Sequence, residues 1–202
     1  MDGTAWPSLR SCTEMGKTNI EQADRSIADA AAPLTDTTPV KVAGWLSEVA
    51  DQPQLITLCT AIIVTGVVSG DKRLAAAGGK MLAAELLATA MKDAIKHRVD
   101  RTRPEAVEEG KPYVLKPGDS RESDRNSFPS GHTAGAVAVA SVIASAYPST
   151  RVPACAAAAG IAVIQIPRSK HYASDLMVGS VIGAVAGYVA NAIGRRRSGR
   201  AA

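Results

Sequence analysis

The sequence predicts an all-α fold, a multi-helix membrane bundle with about five apolar helices. Five segments are apolar, four of them without any charged residue, and their lengths of about 15 to 22 residues are at the short end of what can span a bilayer. Hydrophobic residues make up 46% of the 202 residues but aromatic residues only 3%, so alanine and glycine supply much of the apolar bulk. No segment shows the alternation of apolar and polar residues that is typical of a strand.

The chain begins with a polar, turn-rich segment. Within it, residues 20–32 are predicted to form an amphipathic helix that ends at Pro33, because proline cannot continue a helix. A second short helix is predicted at residues 40–50. The expected division of the chain is a polar N-terminal segment (1–37), a helical domain (38–194) and a basic C-terminal tail (195–202).

Apolar segments fill most of the helical domain. Only the one at 74–95 contains charged residues, so it should be partly buried against protein. Gly179, Gly183 and Gly187 recur at every fourth position, the pattern of small residues that lets membrane helices approach closely. A soluble bundle of unusually apolar helices is the alternative. The predicted apolar helices are 55–69, 74–95, 133–147, 152–166 and 176–193.

Composition argues against two other classes of protein. The formal net charge is +4, but residues 96–131 mix eight Lys/Arg with seven Asp/Glu instead of forming a basic stripe, so nucleic-acid binding is not expected. Cys12, Cys59 and Cys155 have no metal-ligand spacing, and we predict no disulfide and no metal site. Two of these cysteines lie in apolar segments, where a free cysteine behaves as a small hydrophobe.

A turn-forming stretch, Asn-Ser-Phe-Pro-Ser-Gly-His-Thr at 126–133, runs directly into an apolar helix. Ser130 can cap that helix, and backbone N–H groups at a helix N-terminus bind anions. His132 follows at once, and histidine is the side chain that titrates near neutral pH. An anion site beside an acid/base group indicates phosphate chemistry.

Two further polar blocks flank this stretch. Upstream, six residues separate Lys96 from Arg103, and a proline follows Arg103. Downstream, Arg168 precedes His171, and Asp175 lies one helical turn beyond that histidine. If neighbouring helices are antiparallel, all three blocks fall at the same end of the bundle. We therefore expect a single active site there.

In this order, the three blocks resemble the motifs of the type-2 phosphatidic acid phosphatase family, which belongs to the superfamily that includes the vanadium haloperoxidases. The resemblance covers roughly residues 72–187. It implies a membrane-associated phosphatase that acts on a lipid phosphate or a polyprenyl phosphate or diphosphate. It also implies a phosphohistidine intermediate and no requirement for a metal or another cofactor.

The first two blocks supply the groups that would bind phosphate. Lys96 and Arg103 provide fixed positive charge, and a guanidinium can bind two oxygens at once. Ser130 and the backbone N–H of Gly131 would complete the site, since glycine has no side chain to keep the phosphate away. The resemblance implies the same assignments.

The histidines and the aspartate supply the groups that would react. His171 is the expected nucleophile, because Asp175 can hold its imidazole in one tautomer and stabilise the cation that forms. His132 would then protonate the departing oxygen. His97 matches no motif position, and we expect no catalytic role for it. The acidic residues Glu105, Glu108 and Glu109 are interpreted as a solvated loop and not as a metal site.

The third block departs from the family pattern. The pattern places five residues between its arginine and its histidine, and that register falls on Gln165 in this sequence. Glutamine is neutral and cannot replace a guanidinium as a charged ligand. Arg168 lies three residues later, about one helical turn along, and we expect it to bind the phosphate instead. Lys170 is the nearby competitor.

The distribution of charge predicts an orientation in the membrane. The end of the bundle away from the motifs carries a single acidic residue, Asp71, among many basic ones, whereas the motif end mixes both signs. By the positive-inside rule, the basic end is cytoplasmic. We expect a bacterial-type inner-membrane protein whose active site faces the extracytoplasmic side. The basic residues are Lys72, Arg73, Arg151, Arg195, Arg196, Arg197 and Arg200.

Two other functions stay open from the sequence. The same pocket could hold vanadate as a haloperoxidase, although the short, apolar chain disfavours this. The chain could also be a membrane helix bundle without enzymatic activity. Each motif residue has a plainer explanation by itself: Lys96 could be a helix-end lysine whose head reaches the interface, and His171 with Asp175 could be a surface pair.

Overall fold

The computed structural model describes residues 18–198, with side chains described as far as Ile193. Cys12 and Arg200 lie outside the described residues, and the side chains of Arg195, Arg196 and Arg197 are not described. All seven predicted helices are present, and the predicted all-α class is confirmed. The α-helices are α1 (Asn19–Ala31), α2 (Thr38–Ser47), α3 (Gln52–Val68), α4 (Lys72–Lys96), α5 (Pro104–Glu108), α6 (Gly131–Ala146), α7 (Arg151–Ile164) and α8 (Ala173–Ser198).

Within residues 18–198, two helices, α4 and α8, are long and apolar enough to cross a bilayer. The pair formed by α2 and α3 passes the same test together, but it is bent by 58° at the break between them. Pro53 in the first turn of α3 explains where the second helix begins, because proline suits that position and lacks the N–H that a continuing helix would need. Helices α6 and α7 are apolar but shorter.

The centre of the bundle is the contact between α6 and α8, which confirms the prediction made from the three spaced glycines. A Cβ atom added at Gly183 would lie 2.4 Å from the carbonyl oxygen of Ala134, and one at Gly179 would lie 2.6 Å from that of Ser130. At Gly187 it would lie 2.5 Å from the Cβ of Ser141. The two backbones therefore pack at a distance that only glycine allows.

A small sheet corrects the expectation that the chain has no strands. Strands β1 (Val99–Arg101) and β2 (Leu115–Pro117) pair antiparallel in the loop region between α4 and α6. Each strand has three residues, which is too short for an alternating pattern to be visible in the sequence. The sheet matters for the site because it turns Arg101, which is only 2% exposed, into the protein interior.

Candidate active site

The three motif blocks meet around a cavity of about 270 Å³ at one end of the bundle. Its walls come from the α2–α3 break, the end of α4, the loop after β1, the start of α6 and the turn between α7 and α8. Antiparallel packing of neighbouring helices brings these segments together, as the helix order predicts. The lining residues are Glu48, Asp51, Lys92, Lys96, Arg103, Gly131, His132, Gln165, Arg168, Lys170 and His171.

His171 is a deeply buried ionisable group of the cavity wall, at 3% exposure. Its Nδ1 atom lies 2.7 Å from the carbonyl oxygen of Ser127. A carbonyl oxygen can only accept, so Nδ1 carries the hydrogen and Nε2 keeps its lone pair. Burial lowers the pKa of His171, and Arg103 and Lys96 lower it further, against the opposing effect of Asp175. His171 is therefore a neutral imidazole at neutral pH.

Asp175 lies behind His171 in the first turn of α8 and is fully buried. Its Oδ2 atom is 3.7 Å from His171 Nδ1, close enough for a charge interaction but too far for a hydrogen bond. That oxygen instead accepts from the Ser127 hydroxyl at 2.6 Å and from the Tyr172 N–H at 2.8 Å. Oδ1 accepts from Arg101. Asp175 thus supports His171 through charge and through Ser127.

Three cationic side chains on one side of the cavity can bind an anion. Lys96 donates from Nζ to the carbonyl oxygen of Asn126 at 3.3 Å, and Arg103 donates from Nε to that of Ser123 at 2.9 Å. These bonds to main-chain oxygens leave their charges unpaired by an acid among the described residues. Lys92, which was not assigned to the site from the sequence, is the third cation of the cavity and forms an ion pair with Asp93 at 3.1 Å. Its position could have been inferred from the sequence, because Lys92 and Lys96 are four residues apart and therefore share one face of α4.

The Pro-Ser-Gly-His turn builds the start of α6 as predicted. The Ser130 hydroxyl accepts from the N–H of Thr133 at 3.5 Å and from its hydroxyl at 3.0 Å, so Ser130 is the N-cap. Ser130 is fully buried and does not line the cavity, whereas Gly131 does. A Cβ at Gly131 would lie 3.2 Å from the Cδ of Lys92, so a larger residue would crowd that lysine.

His132 lines the cavity beside two acidic residues that were not assigned to the site from the sequence. Its Nε2 atom is 3.5 Å from Asp51 Oδ1 and 3.7 Å from Glu48 Oε2, and it makes no hydrogen bond within residues 18–193. Burial lowers the pKa of His132, and Asp51 and Glu48 act in the opposite direction because they favour the imidazolium. In the part of the chain that the structure describes, these three side chains form a group that could hold a metal ion, with ligand atoms within 4.8 Å of one another.

The third block lies in the turn after α7. Gln165 occupies the register of the family arginine, is fully buried and donates from Nε2 to the Ser47 hydroxyl at 3.2 Å. Arg168 lines the cavity as well, but its guanidinium forms an ion pair with Glu48 and donates to the same Ser47 hydroxyl at 2.8 Å. Gly44 makes room for it, since a Cβ there would lie 2.9 Å from Arg168 Nε.

Contacts from α5 hold the turn that carries His171. Ser169 has a φ of 53°, a left-handed conformation that residues other than glycine seldom adopt, so the surrounding structure must hold it. Its hydroxyl donates to Glu108 at 2.7 Å, and its carbonyl oxygen accepts from the Glu105 N–H at 2.8 Å. Glu105 also pairs with Lys170. This part of the acidic run therefore contacts the turn that carries His171, whereas the sequence predicts a solvated loop.

His97 lies away from the cavity, as expected. Its Nδ1 atom is 2.9 Å from Asp119 Oδ1, and both side chains are exposed. Among the described cysteines, Cys59 is buried, Cys155 is exposed, and both are free. Chemically, the cavity thus combines an anion-binding cluster of cations, a neutral imidazole with a free Nε2, and a second imidazole beside two carboxylates.

Comparison with known proteins gives the family. Two solved structures share the fold: the transmembrane PAP2 type phosphatidylglycerolphosphate phosphatase from Bacillus subtilis (TM-score 0.63, 17% identity, covering 93% of this chain and 92% of that one) and Aquifex aeolicus LpxE (TM-score 0.62, 19% identity, covering 88% and 97%). No curated protein sequence matches significantly. With its apolar helices and this fold, the chain is an integral membrane protein. The family model of the PAP2 superfamily matches residues 77–198 of the sequence, and the chain belongs to that superfamily.

Proposed function

We propose that this protein is a membrane phosphatase that hydrolyses a phosphomonoester or diphosphate of a lipid or polyprenol through a phosphohistidine at His171. The observation that carries the proposal is the state of that histidine. Its Nδ1 hydrogen is donated to the Ser127 carbonyl oxygen, so Nε2 is free to attack within a cavity lined by Lys96 and Arg103. The similar Bacillus subtilis protein is a phosphatidylglycerolphosphate phosphatase, which supports a lipid phosphate as the substrate class.

The proposed reaction has two steps. First, His171 Nε2 attacks the phosphorus atom, the bond from phosphorus to the lipid oxygen breaks, and His132 donates its proton to that oxygen. Then water attacks the phosphohistidine, His132 takes a proton from it, and inorganic phosphate leaves while His171 returns to its neutral form. The chain supplies every group that the two steps need, apart from water. We therefore propose that the enzyme is metal-independent.

Binding and charge stabilisation divide among the other residues of the cavity. Lys96, Arg103 and Arg168 would hold the non-bridging oxygens of the phosphoryl group, with the Gly131 N–H at the start of α6. Ser130 would contribute by capping that helix, which fixes the direction of the Gly131 N–H. Asp175 would stabilise the cation that develops on His171.

The proposed orientation places this cavity on the extracytoplasmic side of a bacterial-type inner membrane. The opposite end of the bundle holds the α3–α4 turn, the start of α7 and the end of α8, where basic residues outnumber the acidic ones. Basic residues next to membrane spans favour the cytoplasmic side.

Phosphate release by the purified protein tests the proposal. A panel of phosphatidic acid, phosphatidylglycerolphosphate, polyprenyl phosphate and polyprenyl diphosphate should include at least one substrate, and His171→Ala should release no phosphate from any of them. Activity should persist in excess EDTA. Loss of activity in EDTA that Mg²⁺ restores would instead give Glu48, Asp51 and His132 a metal-binding role. Turnover by the His171→Ala variant would refute the phosphohistidine.

A further inference from the structure

Helix α1 carries a buried carboxylate, Asp24, that contacts residues behind the cavity. The sequence of α1 shows only an amphipathic pattern. Asp24 is 3% exposed. Its Oδ2 atom accepts from Arg101 Nη2 at 2.7 Å, and its Oδ1 atom accepts from the backbone N–H of Ser174 at 2.9 Å. The Ser174 hydroxyl donates to the same carboxylate. A carboxylate removed from water is retained only when it is paired and hydrogen-bonded in this way.

Arg101 connects that carboxylate to the active site. Its guanidinium is 2% exposed and donates from Nη1 both to Asp175 Oδ1 and to the Ser174 hydroxyl, the latter at 2.7 Å. It also lies 4.2 Å from the centre of the Tyr172 ring. Asp24 and Asp175 therefore flank one guanidinium, and Asp175 in turn lies behind His171. These three residues, Asp24, Arg101 and Asp175, form what we call the charged trio.

The formal charges of the charged trio explain what Asp24 can do for the reaction. One guanidinium between two carboxylates leaves a net charge of minus one. Without the charge of Asp24, Arg101 and Asp175 would neutralise each other, and little negative charge would remain to stabilise a cation on His171. In a buried site this difference is only weakly screened. Burial alone would lower the pKa of Arg101, but Asp175 and Asp24 raise it, so the guanidinium stays charged.

We propose that Asp24 is a positioning residue of the reaction: by pairing with Arg101 it offsets the guanidinium, and it thereby preserves the negative charge of Asp175 that stabilises the cation on His171. Helix α1 is then part of the catalytic apparatus, although it precedes all three motif blocks. This inference rests on the function proposed above. It assigns roles to Asp24 and Arg101, which no motif of the sequence singles out.

The test compares kcat and KM of full-length variants in detergent. Asp24→Asn has nearly the same shape and keeps an oxygen for the Ser174 N–H, so it removes mainly the charge. We expect kcat to fall about tenfold while KM stays within about twofold, since a loss confined to kcat reports an interaction made in the transition state. The matched control is Asp29→Asn on the exposed face of α1, which should leave both constants unchanged.

A double variant separates the effect of charge from a merely structural role. Asp24→Asn combined with Arg101→Met returns the charge behind His171 to minus one. We expect it to have a higher kcat than Asp24→Asn alone, whereas loss of packing would make the double variant worse than Asp24→Asn. Ser174→Ala keeps every charge of the charged trio and should stay within about threefold of wild type. A fall as large as that of Asp24→Asn would overturn the proposal.

The outcomes distinguish this inference from the proposed function. If Asp24→Asn keeps kcat within twofold of wild type while His171→Ala is inactive, Asp24 has no positioning role and the phosphatase proposal stands. If His171→Ala remains active, the phosphatase mechanism itself is wrong. Should Asp24→Asn not be recovered folded, the double variant decides alone: kcat within about threefold of wild type supports the role of charge, and kcat at the level of His171→Ala refutes it.

Discussion

The Nδ1 atom of His171 lies 2.7 Å from the carbonyl oxygen of Ser127 but 3.7 Å from the nearer carboxylate oxygen of Asp175. The main chain, and not the carboxylate, therefore fixes the tautomer of this histidine. Asp175 acts one step away, as an acceptor for the Ser127 hydroxyl and as a nearby negative charge. Because the tautomer of His171 does not depend on Asp175, the effect of removing the carboxylate can be predicted.

Asp175→Asn should reduce kcat by only about 10- to 100-fold, or about 1.4 to 2.7 kcal/mol. The charge is lost, but the Ser127 carbonyl oxygen still selects the Nδ1–H tautomer, so the much larger loss caused by a wrong tautomer should not occur. Steady-state kinetics on the best substrate of the panel measures this. Asp119→Asn, far from the cavity, is the control. A loss of about 10⁴-fold would show that Asp175 itself selects the tautomer.

His132→Ala should discriminate between leaving groups. On a lipid phosphate, whose alkoxide leaves poorly, we expect a loss on the order of 100-fold or more, as is typical when a general acid is removed. On p-nitrophenyl phosphate, whose leaving group needs no proton, the loss should stay below about tenfold. His171→Ala should be inactive on both. An equal loss on the two substrates would contradict the role of His132 as the acid.

Arg168→Ala should lower kcat/KM more than Lys170→Ala or Gln165→Ala does. Removal of one charge-assisted contact to the transferring group costs on the order of 2 to 4 kcal/mol, by analogy with the loss of an oxyanion-hole donor. The three variants are compared on one substrate, with Glu48→Gln to show what loss of the Arg168 ion pair alone does. If Arg168→Ala stays within about threefold of wild type, roughly 0.7 kcal/mol, the assignment is wrong. A larger loss in Lys170→Ala would move the role there.

The pH profile should report the lowered pKa of His171. Nucleophilic attack requires the neutral ring, so activity is lost as the pH falls through this pKa, and burial with Lys96 and Arg103 places it below the ordinary value of about 6.5. The measurement is kcat/KM against pH, with the ionisation of the substrate determined separately. Asp175→Asn removes the group that raises this pKa, so its acid limb should move to still lower pH. An acid limb above about pH 7 would contradict the assignment.

Cysteine labelling should show which side of the membrane the cavity faces. In a variant without Cys12, Cys59 and Cys155, a cysteine that replaces the exposed Glu109 should react with a membrane-impermeant reagent in intact cells. A cysteine at Ser69, exposed at the opposite end of the bundle, should react only after permeabilisation. The reverse pattern would place the active site in the cytoplasm.

Much of the fold could be predicted because its signals are local. The apolar segments, the prolines that begin or end helices, and the three glycines of α8 each reveal a helix or a contact within a few residues. The positions of Lys96, Arg103, His132 and His171 at one cavity followed from the order of the helices. Lys92 was missed although its spacing from Lys96 places it on the same helix face.

The rest depends on contacts between residues far apart in sequence. Asp24 meets Arg101 across 77 residues and Ser174 across 150 residues, and no local pattern marks either contact. Glu48 reaches the cavity only because the α2–α3 pair is bent, and a helical pattern contains no information about that bend. The strand residues around Arg101 are too few to show a period. Long-range polar contacts therefore escaped prediction where local patterns succeeded.

The close packing of α6 against α8 has a mechanical consequence. Both helices begin at the cavity, where the Ser130 N–H donates to the carbonyl oxygen of Asp175 at 3.2 Å, and both continue into the apolar layer with no room for a Cβ at Gly183. Neither helix can slide or tilt alone without losing these contacts. We therefore expect α6 and α8 to respond to a thicker or thinner bilayer as one unit, so that the starts of the two helices keep their relative position at the cavity.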